Sequence, residues 1–278
     1  MYSEKQIRDL IIETINKVIE KSNNKETITK YREPVIGFAS ASDALYDRAS
    51  EIIGYKVFHP TDILPEAKTV ASFFVPFEEQ TVKYARARGP FPTNKEWSLG
   101  YYELNMLIGK IMAVVVNELK AVGVKSETEP VTDNYNHIDL TTSWPHKTTA
   151  YIAGLGTFGI NRVIITPMGS AGRLGSIVFD QEITPTKRPS GENCYYKEEG
   201  KCGICAKRCA TTAIRYNSFS RFMCNEHDVI MRDDPSTIDR GCPLCNAAAP
   251  CGFYRTPKIK DHHIFIGRKS CDELRGEI

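Results

Sequence analysis

Eight of the nine cysteines in this 278-residue chain lie between residues 194 and 251, and their spacing constrains the fold more than any other feature. The first group reads C-x7-C-x2-C-x3-C, a single cysteine follows, and the second group reads C-x2-C-x5-C. In chain order they are Cys194, Cys202, Cys205, Cys209, Cys224, Cys242, Cys245 and Cys251. Eight thiolates make two sets of four, and four cysteines are the usual ligands of a [4Fe-4S] cluster.

In ferredoxins with two clusters, the last cysteine of the first run binds the other cluster. Applied here, this rule predicts that each cluster takes ligands from both groups. One cluster would be held by Cys194, Cys202, Cys205 and Cys251, and the other by Cys209, Cys224, Cys242 and Cys245. Glu199 stands where the common C-x2-C-x2-C spacing has its first cysteine, and Ala210 replaces the usual proline. Cys194 is therefore assigned as the substitute ligand.

Zinc and disulfide bonds are the two other uses of cysteine that this pattern leaves open. The C-x2-C pairs beginning at Cys202 and Cys242 also occur in structural zinc sites, but those pairs are usually closer in sequence, and zinc needs only four ligands. Disulfides are not expected, because the cysteine count is odd, no signal peptide is recognised and the chain is long enough to build a core. Cys271 has no predicted role beyond a free thiol.

The composition excludes several classes of protein. Hydrophobic residues make up 41% of the chain, charged residues 25%, and the formal net charge is +2. This balance is ordinary for a globular protein and does not indicate a nucleic acid or membrane partner. The longest apolar run of the main predicted helix, residues 111–116, is too short to span a bilayer. We expect a cytoplasmic location.

Hydrophobic periodicity predicts mixed helices and strands before the cysteines. Helices are predicted over residues 5–20, 44–53, 97–122 and 148–153, and strands over 34–39, 69–77, 162–167 and 174–180. Asp43 is the expected N-cap of the second helix, while Gly123 and Gly154 should end the third and fourth. Residues 185–189 are the expected linker between a core domain, residues 1–187, and a cysteine module, residues 188–278.

Two further motifs carry possible chemistry. Residues 154–159 match the dinucleotide pattern G-x-G-x-x-G, but that pattern requires a strand before it and a helix after it, and here the order is reversed. The glycines are better explained by a helix end and a close backbone approach. Asp139 and His146 are acid–base candidates because they flank Trp144 and Pro145 in a polar, aromatic segment. In loops, both residue types are more often caps or surface groups.

The segment AYIAGLGTFGINRVIITPMGSAGRLGSIVFD, followed by these cysteine groups, resembles epoxyqueuosine reductase and, more distantly, the reductive dehalogenases. The AGLG motif, the I-x-T-P and G-x-R-x-G stretches and the isolated fifth cysteine match in order over about residues 34–253. The resemblance implies an α+β fold, in which a nitroreductase-like α/β core carries a C-terminal ferredoxin-like module with two [4Fe-4S] clusters. It also implies a cobalamin against the core, near Gly154, Leu155, Gly156, Gly159, Thr166 and Arg173.

The resemblance implies a function as well. An external low-potential electron donor of the ferredoxin or flavodoxin type would pass electrons through the clusters to the cobalamin, which would reduce a small-molecule substrate. Asp139 stands nearly where the family has its acid and is the expected proton donor. Transfer RNA is a doubtful substrate, because residues 101–104 differ from the family's D-Y-H-K and the helical repeat region is not found. The alternative is an iron-sulfur electron-transfer protein without an organic cofactor.

Overall fold

The computed structural model describes residues 2–25, 29–86, 95–130, 134–233, 241–253 and 264–270. Its helices are α1 (Glu4–Asn23), α2 (Ala44–Asp47), α3 (Ala49–Ile53), α4 (Pro60–Ile63), α5 (Glu79–Arg86), α6 (Lys95–Ala121), α7 (His146–Ile152), α8 (Tyr195–Glu199), α9 (Ile204–Arg208) and α10 (Arg221–Asp233). Its strands are β1 (Val35–Ser40), β2 (Thr69–Pro76), β3 (Ser126–Glu127), β4 (Tyr135–Asn136), β5 (Thr141–Thr142), β6 (Thr157–Phe158), β7 (Ile164–Ile165), β8 (Gly172–Phe179), β9 (Ile214–Arg215), β10 (Ser218–Phe219), β11 (Phe265–Ile266) and β12 (Lys269–Ser270).

An antiparallel sheet of six strands, in the order β12-β11-β1-β2-β8-β3, forms the centre of the core. Every residue of β2 is buried, so this strand is covered on both faces. Its alternation divides the apolar side chains between two clusters, because successive side chains of a strand point to opposite faces. Phe73 and Val75 join one cluster, while Val70 and Phe74 join the other.

Helices α1 and α6 cover the first face of the sheet. Helix α1 begins with a capping box, in which Ser3 and Gln6 each accept a hydrogen bond from the other's backbone. Its Ile7, Ile11 and Ile15 side chains are fully buried. By length and composition alone, α6 could cross a membrane. Its inner face is instead packed into the same core cluster, as in a core helix of a globular protein.

The mixed helix and sheet architecture confirms the predicted α+β class. The predicted N-cap is present, since the Asp43 carboxylate accepts a hydrogen bond from the Leu45 N–H at 3.0 Å. Gly123 and Gly154 follow the ends of α6 and α7 with φ angles of 81° and 76°. The predicted helix over residues 44–53 is two helices that meet at Arg48. The nitroreductase-like and ferredoxin-like descriptions of the two parts stay predictions.

The chain returns to the core sheet after the cysteine module. Strand β11 pairs with β1, and the Gly267 N–H donates a hydrogen bond to the Pro34 carbonyl at 2.8 Å. Arg268 then pairs with Glu13 at 2.9 Å and Glu20 at 2.5 Å, both on α1. Residues 264–270 therefore belong to the sheet of the core, although the predicted division places them in the module. This pairing covers the first two residues of β1, Val35 and Ile36, at the edge of the strand.

Candidate functional site

Four of the cysteines line one cavity of about 180 Å³. They are Cys194, Cys202, Cys205 and Cys251, which come from three separate stretches of the chain. Gly159, Asn161 and Ile165 of the core form another part of the wall, together with Tyr195 and Tyr196 of α8. Cys194 is buried, whereas Cys202 is exposed at the mouth. The four side chains are the same set that the cross-over rule assigns to one cluster.

The acidities of these thiols reflect their proximity. Burial, together with the charges of Cys205 and Cys194, raises the pKa of Cys251 to about 12. The pKa of Cys205 is raised to about 11, mainly by burial and also by the charges of Cys194 and Cys202. Thiolates gathered here without a cation would repel one another, so only a bound metal centre would keep all four deprotonated.

The other four cysteines form a second neighbourhood. Burial raises the pKa of Cys242 to about 12, with added effects from Cys224 and Cys209. The pKa values of Cys224 and Cys245 are raised by burial and by other thiols of this group. For Cys209, burial raises the pKa, but backbone N–H donors around Ile214 outweigh it and the net shift is downward.

The two neighbourhoods adjoin each other. The charge of Cys205, from the first, also raises the pKa of Cys245, from the second. Cys271 lies outside the described residues.

Hydrogen bonds fix the second group of cysteines against the core. The Asp228 carboxylate on α10 accepts from the backbone N–H groups of Gly241 and Cys242, at 3.3 and 3.4 Å. The Trp97 indole N–H of α6 donates to the Gly241 carbonyl at 2.6 Å. The N–H of Ala171, just before β8, donates to the Gly252 carbonyl at 2.8 Å. The ligand-bearing loops are thus set by the core rather than by their own short elements.

The described side chains do not form a compact site for one metal ion. Within the part of the chain that the structure describes, no three His, Cys, Asp or Glu side chains form a group suited to a single metal ion. A structural zinc site needs four thiolates or imidazoles within about 2.3 Å of one ion.

A second region, which we call the Lys147 crevice, lies beside the second group of cysteines. It is defined by Lys147, Arg173, Cys224 and Cys245. Lys147 is exposed at the start of α7, and desolvation by the surrounding protein atoms lowers its pKa. The charge of Arg173 lowers this pKa further, while Cys245 and Cys224 oppose the shift.

Two contacts with α6 hold the Arg173 side chain in place. Its Nε donates to the Asn105 side-chain oxygen at 2.6 Å, and its guanidinium lies 4.7 Å from the centre of the Tyr101 ring. The same helix, α6, exposes 45% of Tyr102 and 61% of Met106. One turn further on, a Cβ built on Gly109 would meet nothing within 4 Å. A glycine inside a helix costs about 1 kcal/mol relative to alanine, so this open, flat face has no explanation in helix stability.

The glycines of the AGLG motif contact the chain itself. A Cβ on Gly156 would lie 2.1 Å from the Ile165 carbonyl oxygen, and one on Gly154 would lie 2.8 Å from that of Lys187. Leu155 and Thr166 are fully buried in the core, and Thr166 donates to the Gly169 carbonyl at 2.7 Å. The predicted close approach is therefore made by backbone, and cofactor contact by these four residues stays a prediction.

Of the other predicted cofactor residues, Gly159 lines the cavity of Cys194 and Arg173 lies in the Lys147 crevice. Lys147, Asn105 and Gly109 were not predicted as site residues. Lys147, a lysine next to a histidine at the start of a helix, forms no distinctive sequence pattern. Gly109, a glycine in the middle of a long apolar helix, could have indicated a functional position.

The two acid–base candidates differ in environment. Asp139 is exposed in the turn between β4 and β5, where its carboxylate accepts from the Asn136 side chain at 3.3 Å. His146 is buried, and its Nδ1 lies 2.8 Å from the Ser176 hydroxyl, which also accepts from the Trp144 indole N–H at 2.9 Å. Burial lowers the pKa of His146 to about 4, and its Nε2 is buried without a hydrogen-bond partner in the described structure.

No protein-family model matches the sequence, and no curated protein matches it. Solved structures do match. An epoxyqueuosine reductase from Bacillus subtilis, with its catalytic aspartate loop swung out of the active site, has 16% identity and a TM-score of 0.56, covering 94% of this chain and 69% of that one. An epoxyqueuosine reductase with an epoxyqueuosine-modified tRNA-Tyr stem loop has 18% identity and a TM-score of 0.56, covering 98% and 71%.

A catabolic reductive dehalogenase, NpRdhA, in complex with 3-bromo-4-hydroxybenzoic acid, has 14% identity and a TM-score of 0.56, covering 80% of this chain and 30% of that one. At these identities the likeness is one of fold. It extends through the sheet, the covering helices and the segment that carries the cysteines. The chain therefore has the fold of the epoxyqueuosine reductases and reductive dehalogenases, the group that its sequence motifs resemble.

Proposed function

We propose that the protein is a redox enzyme that holds two [4Fe-4S] clusters and a corrinoid and reduces a bound substrate. One observation carries the proposal: the seven cysteines of the two sequence groups and the single Cys224 lie in two neighbourhoods of four, and the second neighbourhood is close to the cations Lys147 and Arg173. The fold likeness to epoxyqueuosine reductases and reductive dehalogenases supports the same reading. One of those dehalogenases is described as acting by a B12-dependent mechanism.

The donor sets fit the clusters. The first cluster would be held by Cys194, Cys202, Cys205 and Cys251, and the second by Cys209, Cys224, Cys242 and Cys245. Backbone N–H donors to the Cys209 sulfur are the kind of hydrogen bond that tunes cluster potentials. When bound, the clusters would supply one-electron transfer and the corrinoid would supply low-valent cobalt.

We propose that a large flat cofactor binds in the Lys147 crevice. On helix α6, a Cβ at Gly109 would meet open space, and the apolar side chains of Met106 and Tyr102 beside it are exposed. Arg173 is fixed by Asn105, so its cation is already oriented toward any anionic group of the cofactor or substrate. Because the Cys224 and Cys245 thiols reach the same crevice, the second cluster would be the one next to the corrinoid.

Two side chains of the chain would deliver protons. Lys147 has a lowered pKa, which makes its Nζ a stronger acid than an ordinary lysine. Asp139 sits on the exposed turn between β4 and β5, and in one relative the catalytic aspartate loop is swung out of the active site. We propose that this turn closes over the crevice when substrate binds, which would bring the Asp139 carboxyl to the reacting atom.

A small molecule is the proposed substrate, and a modified tRNA stem loop is the second candidate. The tRNA candidate is favoured by one observation, since the structure of that complex aligns with 98% of this chain. Reduction assays with an epoxyqueuosine-containing stem loop and with a brominated hydroxybenzoate separate the two classes.

The first experiment measures iron, acid-labile sulfide and cobalt on protein purified without oxygen and offered cobalamin. Two cubane clusters predict about eight iron atoms per chain. Cys251→Ser and Cys202→Ser should damage the same paramagnetic signal, and Cys209→Ser should damage the one lost in Cys242→Ser. Stoichiometric zinc without sulfide would contradict the proposal. Clusters without cobalamin binding would favour the electron-transfer alternative.

The second experiment tests the crevice. Gly109→Leu should weaken cobalamin binding at least tenfold, measured by the corrin absorption bands, because the new side chain covers the open floor. The same change raises helix propensity by roughly 1 kcal/mol, so unfolding cannot explain the loss. Lys120→Leu, on the same helix near its end, is the matched control. Equal binding by both variants would place the corrinoid elsewhere.

A further inference from the structure

A basic and aromatic surface surrounds the exposed mouth of the Cys194 cavity. We call it the Cys202 patch and define it by Tyr195, Cys202, Ile204, Lys207, Arg215 and Tyr216, all of which are exposed. Tyr195 and Ile204 each expose 37% of their surface and Tyr216 exposes 44%. Three large apolar side chains around one thiol form a surface suited to a partner rather than to water alone.

The patch is one continuous surface. A Cβ on Gly203 would lie 2.6 Å from the Tyr216 ring, so this ring covers the turn that carries Cys202. The rings of Tyr196 and Tyr216 are 4.8 Å apart, which joins α8 to the end of β9. Cys202 itself has a φ of 92°, in the region that favours glycine. The turn is therefore shaped to present this thiol at the surface.

The charge of the patch has a clear sign. Between residues 194 and 216, five basic side chains stand against two acidic ones, a net charge of +3. This exceeds the +2 of the whole chain, so the remainder is slightly acidic. Lys197 and Lys201 are paired with Glu192 and Glu199. Lys207 and Arg215 make no ion pair within 4.0 Å in the described structure and point their charge outward.

We infer that the Cys202 patch is the docking site of an acidic one-electron carrier protein, and that electrons enter the enzyme there. The inference rests on the proposed function, because it requires a cluster behind Cys202. The other set contains Cys224 and Cys245, which lie close to Lys147, so the set with the exposed Cys202 is left as the entrance. A basic rim around an apolar centre complements a carrier whose cofactor is surrounded by carboxylates.

The transfer step is balanced by one electron. The reduced carrier loses one electron and is oxidised, and the centre held by Cys194, Cys202, Cys205 and Cys251 gains that electron. No bond forms or breaks, and no proton moves. Encounters of this kind use small interfaces, below about 1,200 Å², and depend on charge for their rate.

The experiment follows reduction of the wild-type protein by a reduced acidic [2Fe-2S] ferredoxin in an anaerobic stopped-flow instrument. Lys207→Glu with Arg215→Glu should lower the second-order rate constant about tenfold or more at low ionic strength. The loss should disappear near 1 M salt, where the Debye length is about 3 Å. Lys5→Glu with Lys17→Glu, two exposed positions on α1, is the control with the same change in net charge and should keep the wild-type rate.

Dithionite reduction and iron content separate the possible failures. Both should be unchanged in the patch variant, and Lys207→Ala with Arg215→Ala gives a milder change if the double glutamate variant folds poorly. A wild-type protein without iron or sulfide would defeat the proposed function itself. A bleachable cluster reduced by ferredoxin at equal rates in all variants would overturn only the docking inference. The docking inference would also be overturned if the patch variants lost binding of a tRNA stem loop while their rate of reduction by ferredoxin stayed normal.

Discussion

The buried histidine of α7 makes stability depend on pH in a window that can be calculated. His146 exposes only 8% of its surface, and its Nε2 has no partner in the described structure. Burial lowers its pKa from 6.5 to about 4. The unfolded chain therefore binds this proton more readily than the folded chain, so the contribution of His146 is complete above pH 6.5 and is lost as pH falls toward 4.

The magnitude follows from these two pKa values. At pH 5 the unfolded imidazole is about 97% charged while the folded one is about 10% charged, which corresponds to about 2 kcal/mol of lost stability. His146→Phe removes the titrating group and should flatten the stability profile by that amount between pH 8 and pH 5. The Ser176 hydroxyl keeps its hydrogen bond from Trp144 in this variant.

Urea unfolding under anaerobic conditions measures the effect, with tryptophan fluorescence as the probe. Trp144 stacks on Tyr46 beside α7, with ring centres 6.2 Å apart, and is one of only two tryptophans. Thr149→Val is the matched control, because Thr149 is buried on the same helix and does not titrate. It should shift the whole profile without changing its slope. A slope as steep in His146→Phe as in the wild type would refute the reasoning.

Other substitutions test how the core supports the site. Gly156→Ala places a Cβ 2.1 Å from the Ile165 carbonyl oxygen and should lower the free energy of unfolding by about 1–3 kcal/mol, whereas Gly109→Ala should raise it slightly. Trp97→Phe loses the hydrogen bond to the Gly241 carbonyl and should cost about 1–3 kcal/mol, with preferential loss of iron from the second set of cysteines. Asp43→Ala removes a helix cap and should cost about 1 kcal/mol in thermal unfolding.

Local patterns were enough to predict the elements that have strong periodicity or a specific cap. Strand β2, helix α6 and the glycines after α6 and α7 are examples, since each depends on residues close in sequence. Strands β11 and β12 have two residues each, which is too short to show alternation. The environment of Lys147 depends on α6, β8 and α10 meeting in space, so no spacing in the sequence could reveal it.

The same limit applies to the AGLG motif. Its pattern indicated a close approach, but the partner of Gly156 is a carbonyl nine residues further on, in β7. The cysteines were the exception. The ligand rule for ferredoxins with two clusters itself states which cysteines, distant in sequence, come together in space. The first set lines the cavity around Cys194, and the binding of a cluster by either set stays a prediction.

The strands on either side of the cysteine module belong to one sheet, and this affects how the chain folds. β8 precedes the module and β11 follows it, while β1 and β2 stand between them in the sheet. The whole segment from Gln181 to Ile264 is thus a closed loop, whose ends are brought together at an entropic cost that grows slowly with length. Pairing of β11 ties down the far end of that loop, and on the ribosome it can occur only after the eight cysteines of the two sets have been synthesised. Assembly of the proposed clusters in the loop and completion of the sheet would therefore be coupled late events, each of which stabilises the other.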